Sequence, residues 1–256
     1  MKLGVFQAAC GGCDFTTRLD RLNTELSGKD LDLVVCPELF ATGYHIENTH
    51  QTLAQPAGGV FLQAFGELAN HHGCAIAFGY PEASDGLPYN SAAFVGPDGA
   101  LLANHRKKAQ SPHSLEETSF ENGSTRTIFP CGDLQVAVAI CYEIEFPETA
   151  RAAAFGGADL LIVPTALVGA WPVVAEKVVP ARAFENGIYV AYANHGGAEL
   201  SYTYLGGSRI VSPGGAELAV AGQGEELIAA EIARDQVQAA QARLPYLRDR
   251  TKIKGT

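Results

Sequence analysis

The sequence has no apolar run of the roughly 18 to 20 residues needed to cross a membrane as a helix, and positive charge is in the minority. Lys and Arg number 18 against 28 Asp and Glu, a net charge of −10 over 256 residues. Phosphate backbones and anionic membranes select clustered Lys and Arg, so neither nucleic acid nor membrane is expected as a partner. A small-molecule ligand is. No Gly-x-Gly-x-x-Gly follows the first strand-like segment, where "QAACGGCDF" stands instead, which argues against a dinucleotide fold. No Gly-x-Ser-x-Gly occurs, so the strand-turn-helix of serine hydrolases is missing. No His-Glu-x-x-His or other histidine pair at helical spacing appears among the seven histidines, and no metal is expected. The amino-terminal MKLGVFQAACGG runs directly into strand-like sequence, so no targeting segment is expected either.

What is present is the composition of a globular protein, 47% hydrophobic and 18% charged. Most of the six cysteines sit in apolar runs such as LDLVVC and CAIAF, which reads as reduced thiols in a cytoplasmic protein rather than a disulfide scaffold. Cys10 and Cys13 form a lone Cys-x-x-Cys without a second pair, and read as small residues near a turn.

Apolar β-rich runs at 2–9, 32–36, 74–80, 134–140, 159–164 and 188–193 alternate with helical patterns near 17–27, 58–72, 147–156 and 173–186. The alternation predicts an α/β fold. "NSAAFVGPDGALLANHR" and "GGSRIVSPGGAELAVAG" each read as strand, Gly-rich turn and strand, two hairpins that make the sheets mixed. No repeat of 20–50 residues and no linker interrupts the chain, so one domain over 1–256 is expected. The stretch DQVQAAQARL adds a helical pattern near the carboxyl end.

One stretch concentrates chemistry. In "AVAICYEIEFPE", Cys141 ends a continuous apolar strand, and Pro147 and Glu148 fit the first turn of a helix. A strand-to-helix turn presents a side chain at the sheet edge with free N–H groups beside it, and the helix dipole would favour the thiolate. A nucleophile and an inert buried cysteine both fit that local context. A nucleophile needs a base and an oxyanion stabiliser. "DLVVCPELFATGY" places Glu38 where a strand ends, and "GPDGALLANHRKKAQ" places a basic cluster at the end of a hairpin.

Taken together, PELF with Glu38, HRK with Lys107 and ICYEIEFPE with Cys141, in that order and with the flanks "GADLLIVPTA", "ARAFENGIYVAYAN" and "GGSRIVSPGGAEL", resemble the nitrilase superfamily of carbon–nitrogen hydrolases over nearly the whole chain. The resemblance implies a four-layer αββα sandwich with mixed sheets and a Glu-Lys-Cys triad without cofactor. Glu38 would be the general base, Lys107 the oxyanion holder with the backbone N–H of Tyr142, and Cys141 the nucleophile. Lys108 is the alternative register for the lysine. A second glutamate that orients amide and water falls on Glu116, with Glu117 as the alternative. Tyr44, Tyr142, Glu143, Thr165, Ala166 and Trp171 are candidate pocket residues, Trp171 alternatively packing under a helix start. Arg151 and Arg182 are expected in structural ion pairs or dimer contacts. Cys-Tyr-Glu resembles the amidase and carbamoylase branches, so hydrolysis of a small aliphatic amide through a thioester stands ahead of N-carbamoyl cleavage or nitrile hydrolysis. A scaffold serving only binding or assembly would lack a triad member, and a homodimer or higher homo-oligomer is implied by analogy.

Overall fold

The computed structural model describes residues 1–46 and 49–253. The first half runs β1 (Lys2–Gln7), α1 (Phe15–Leu26), β2 (Leu33–Val35), α2 (His50–Leu53), α3 (Val60–His72), β3 (Ala75–Glu82), β4 (Tyr89–Val95), β5 (Leu101–Arg106) and the single turn α4 (Glu116–Ser119). The second runs β6 (Ile128–Cys131), β7 (Leu134–Val138), α5 (Pro147–Phe155), β8 (Leu160–Pro164), α6 (Val179–Asn186), β9 (Tyr189–Ala193), the small ribbon β10 (Ala198–Glu199) and β11 (Tyr202–Thr203), β12 (Arg209–Val211), β13 (Glu217–Val220) and β14 (Glu226–Glu231). α7 (Arg234–Arg243) and the short α8 (Tyr246–Asp249) follow.

Two six-stranded mixed sheets result, ordered β14-β1-β2-β3-β4-β5 and β13-β12-β9-β8-β7-β6. Each has a parallel centre, β1/β2/β3 in one and β7/β8/β9 in the other, with antiparallel strands outside it. The halves thus repeat one topology, at a length well beyond the repeats looked for in the sequence. The sheets meet face to face: Leu3, Val5, Leu33 and Val35 of one share a buried core with Val136, Leu160, Ile162 and Val190 of the other. α1 and α3 cover the outer face of the first sheet through Leu22, Leu26, Phe61 and Phe65, and α5 and α6 cover the second through Ala150, Ala153, Val179 and Ala183. This is the expected αββα sandwich.

Local chemistry explains the element ends. The Asp14 side chain accepts from the Thr17 N–H to cap α1, Pro147 opens α5, and Gly73 ends α3 in the left-handed conformation at φ +64°. Both predicted hairpins form, as β4/β5 and β12/β13. The predicted helix over 173–186 divides into a π-helical turn at Val174–Val178 and α6; Pro180 lacks an N–H and crowds the preceding turn, which a widened turn relieves. β6 and β14 were not predicted. Both are edge strands, β6 carrying Pro130 where no outer partner needs its N–H.

Candidate active site

Glu38 follows β2, Lys107 follows β5, and Cys141 begins a short 3-10 turn (Cys141–Glu145) after β7. The strands deliver all three to one end of the sandwich. Cys141 adopts φ +50° and Leu39 φ +50°, left-handed conformations that cost non-glycine residues of order 1–3 kcal/mol each and that cluster where geometry is constrained.

Lys107 is fully buried, and its Nζ donates to Glu38 Oε1 at 2.7 Å and to Glu116 Oε2 at 2.6 Å. Asn90 Nδ2, from β4, also donates to Glu38 Oε1 at 2.7 Å, which leaves the buried Glu38 Oε2 without a partner among the described residues. Glu116 is further held by the Tyr44 hydroxyl at 2.5 Å and the Ser111 N–H at 3.1 Å. Lys108 is partly exposed and pairs with Glu143 at 3.6 Å. Glu117 is exposed and accepts from the His113 N–H. The first register therefore occupies the buried cluster at both positions.

Cys141 is partly exposed, but into a cavity of about 940 Å³ that it lines together with Tyr44, Tyr142, Ala166 and Trp171. The charges of Glu38, Lys107 and Glu116 all act on its sulfur. Desolvation pushes the thiol well above its ordinary range, reinforced by the two carboxylates and only partly offset by Lys107. This corrects the thiolate expected from a helix dipole: α5 starts at Pro147, and the 3-10 turn separates its end from the sulfur. Burial likewise pushes the Glu38 carboxyl up to about 7, opposed by Lys107 and assisted by Glu116. For Lys107 burial alone would depress the ammonium, but the Glu116 and Glu38 charges outweigh it and hold the proton more tightly than usual.

Two predicted pocket residues do other work. Glu143 is buried and off the cavity wall; its carboxylate accepts from the Ile140 N–H at 2.7 Å, His105 Nε2 at 3.0 Å and the Lys108 N–H at 3.2 Å. It fastens the Cys141 turn to the segment carrying Lys107. Thr165 is buried, its carbonyl accepting from the Glu38 N–H at 3.4 Å and its hydroxyl bonded to that of Tyr192 at 3.3 Å, so it braces the Glu38 turn from the other sheet. Trp171 stands 60% exposed on the cavity rim, not packed under a helix. Arg182 and Arg151 pair with Glu185 as structural residues.

Sequence reasoning missed Asn90, His195 and a second buried cluster. His195 Nε2 lies 2.7 Å from the Glu38 carbonyl oxygen. Arg18 and Tyr204 donate to Glu199, whose carboxylate also takes the Tyr44 and His45 N–H groups and so fixes the Tyr44 loop. The available signal was polar residues inside or just after apolar strands, as in "YNSAAFV" and "YVAYANH". Among the described residues no three His, Cys, Asp or Glu side chains are grouped as metal ligands.

Glu38, Lys107 and Cys141 thus meet, in chain order, at one end of an αββα sandwich. A model of the carbon-nitrogen hydrolase family matches residues 4–242, and the chain belongs to that family, the nitrilase superfamily. It is 38% identical over 256 aligned residues to a hydrolase in the pqqF 5′ region of Pseudomonas protegens, covering 98% of this chain and 89% of the relative. To an (R)-stereoselective amidase from a Pseudomonas species it is 32% identical, covering 98% and 91%. An amidase of the nitrilase superfamily from Nesterenkonia superposes with a TM-score of 0.84 at 30% identity over 96% of each chain. Structures of that amidase include one with acrylamide added at the active site cysteine and one in complex with butyramide.

Proposed function

We propose that the protein hydrolyses small linear amides to a carboxylic acid and ammonia, through a thioester on Cys141, as a single catalytic domain. The observation carrying this reading is the buried convergence of Glu38, Lys107 and Glu116 beside a partly exposed Cys141 that opens on a cavity. Because the thiol holds its proton, attack needs a base, and Glu38 Oε2 has a free acceptor position for it.

Sulfur attacks the amide carbon as Glu38 takes the thiol proton. The developing oxyanion is stabilised by the Lys107 ammonium and the Tyr142 N–H, in the first turn of a 3-10 helix where N–H groups lack partners within the helix. Collapse breaks the C–N bond as Glu38 returns the proton to the leaving nitrogen, releasing ammonia. Water, deprotonated by Glu38 and oriented by Glu116, then attacks the thioester and frees the acid and the thiol. The likeness to amidases, one of them crystallised with butyramide, favours amides over nitriles or N-carbamoyl compounds.

Ammonia release from a panel of amides, nitriles and N-carbamoyl compounds tests the reading. The parent should release ammonia fastest from amides, and Cys141→Ala and Glu38→Gln should each lose at least about a thousandfold in kcat while remaining folded. Parent-like turnover by Cys141→Ala would remove the nucleophile assignment. We further infer a homodimer in a reducing, cytoplasmic setting. The support is a face of α5, α6 and α8 on which Phe155, Phe184 and Tyr246 are exposed, together with six free cysteines.

A further inference from the structure

The cavity above Cys141 has an asymmetry of charge that the hydrolytic steps do not use. Among the described residues lining it, Glu145 is the one carboxylate, His113 is the other titratable side chain besides Cys141 and the tyrosines, and no lysine or arginine takes part. Glu145 is half-buried, and among the described residues its carboxylate enters no ion pair or hydrogen bond; only its backbone carbonyl is engaged, by Arg182. Leaving a carboxylate partly desolvated and unpaired is costly, and a cationic ligand group relieves that cost. Lys107, whose charge reaches Glu145, is committed to Glu38 and Glu116, so the cluster below the cavity holds more carboxylates than ammonium groups. Tyr44, Tyr142, Trp171 and Tyr202 line the same space and offer ring faces that attract cations.

We propose that Glu145 makes this cavity a subsite for amides whose acyl portion carries a protonated amine, and that it disfavours acyl groups ending in a carboxylate. This inference rests on the amide-hydrolase reading above and adds the charge of the substrate to it. An acyl carboxylate would face Glu145 with no lysine or arginine on the wall to receive it, a like-charge contact in a partly desolvated space. A neutral acyl group is accepted without that gain or loss.

The test uses the full-length protein and amides matched in shape: alaninamide against isobutyramide, β-alaninamide against butyramide, and succinamate as the anionic probe. At neutral pH, kcat/KM should be about tenfold higher for the cationic member of at least one pair, and succinamate should be the poorest substrate. Glu145→Gln should collapse the cationic-to-neutral ratio toward unity and raise the relative rate on succinamate. Dissociation constants of the same probes for Cys141→Ala give a second readout that does not depend on turnover, with the cationic amides binding more tightly. Equal kcat/KM and equal binding for both matched pairs, or a ratio unchanged in Glu145→Gln, would overturn the subsite while leaving amide hydrolysis standing. No ammonia from any amide, with no binding of any probe, would overturn both.

Discussion

Glu38 is under two opposing pressures, desolvation that favours its neutral form and an ammonium at 2.7 Å that favours the charged one. Desolvation prevails and leaves the carboxyl titrating near 7. A general base acts in its ionised form, so kcat/KM for amide hydrolysis should fall about tenfold per pH unit below about 7. A flat profile between about pH 5 and pH 8 would exclude Glu38 as the base. The same shift has a consequence for folding. A carboxyl whose folded-state value is raised contributes stability that is fully present below the ordinary glutamate range and lost as pH rises through about 7. Glu38 and Cys141 were legible in sequence because each stands in a short motif at the end of a strand-like run, whereas HRKK left Lys107 and Lys108 as alternatives. Glu143 was misplaced for the same reason: its position beside Cys141 suggested contact with substrate, whereas its carboxylate turns inward to the Ile140 and Lys108 N–H groups and His105.

The strand ends set the geometry of the site, and one strand does so by coming unusually close. A Cβ on Gly79, in β3, would lie 2.2 Å from the Leu39 nitrogen and 2.8 Å from the Pro37 oxygen. Glycine is therefore required for β3 to pass beneath the Glu38 turn, where the Ala41 N–H also donates to the Gly79 carbonyl at 3.0 Å. Gly79→Ala should push that turn outward. We expect a stability loss of about 1–3 kcal/mol in denaturant titration and a fall in kcat/KM of about a hundredfold. Retained activity together with retained stability would show that the turn can yield at no cost. The central strands and both hairpins were legible from apolar runs and Gly-rich turns. β6 and β14 were not, because edge strands bury fewer residues and present a weaker pattern, as in ELIAAE with exposed and half-buried residues on either side of Ile228.

At the scale of the whole molecule, the last strand completes the first sheet. β14 pairs antiparallel with β1 from Lys2–Glu231 to Gln7–Glu226, and the Met1 amino group donates to the Ile232 carbonyl at 3.0 Å. On the second sheet's side, α5, α6 and α8 leave Phe155 46%, Phe184 39% and Tyr246 41% exposed. If this face joins two copies, light scattering should give a particle of two 27.0 kDa chains, and Phe184→Glu should dissociate it by placing charge in an apolar contact. A parent protein that scatters as one chain at assay concentration would remove the dimer.

The sequence by itself determined an α/β fold with mixed sheets, from apolar periodicity and Gly-rich turns, and the family resemblance carried by the short motifs around Glu38, the Lys107–Lys108 pair and Cys141 implied the αββα class; both signals are local and survive without coordinates. Only the tertiary structure decided which lysine and which glutamate enter the buried cluster, that Thr165 and Glu143 brace the site, and that Asn90 and His195 touch Glu38. These contacts join positions as far as 157 residues apart, and no local pattern encodes them. The protonation of the thiol was decided at the same level, since it depends on desolvation and on charges brought close by the fold, and neither quantity exists until the chain has closed around the sulfur.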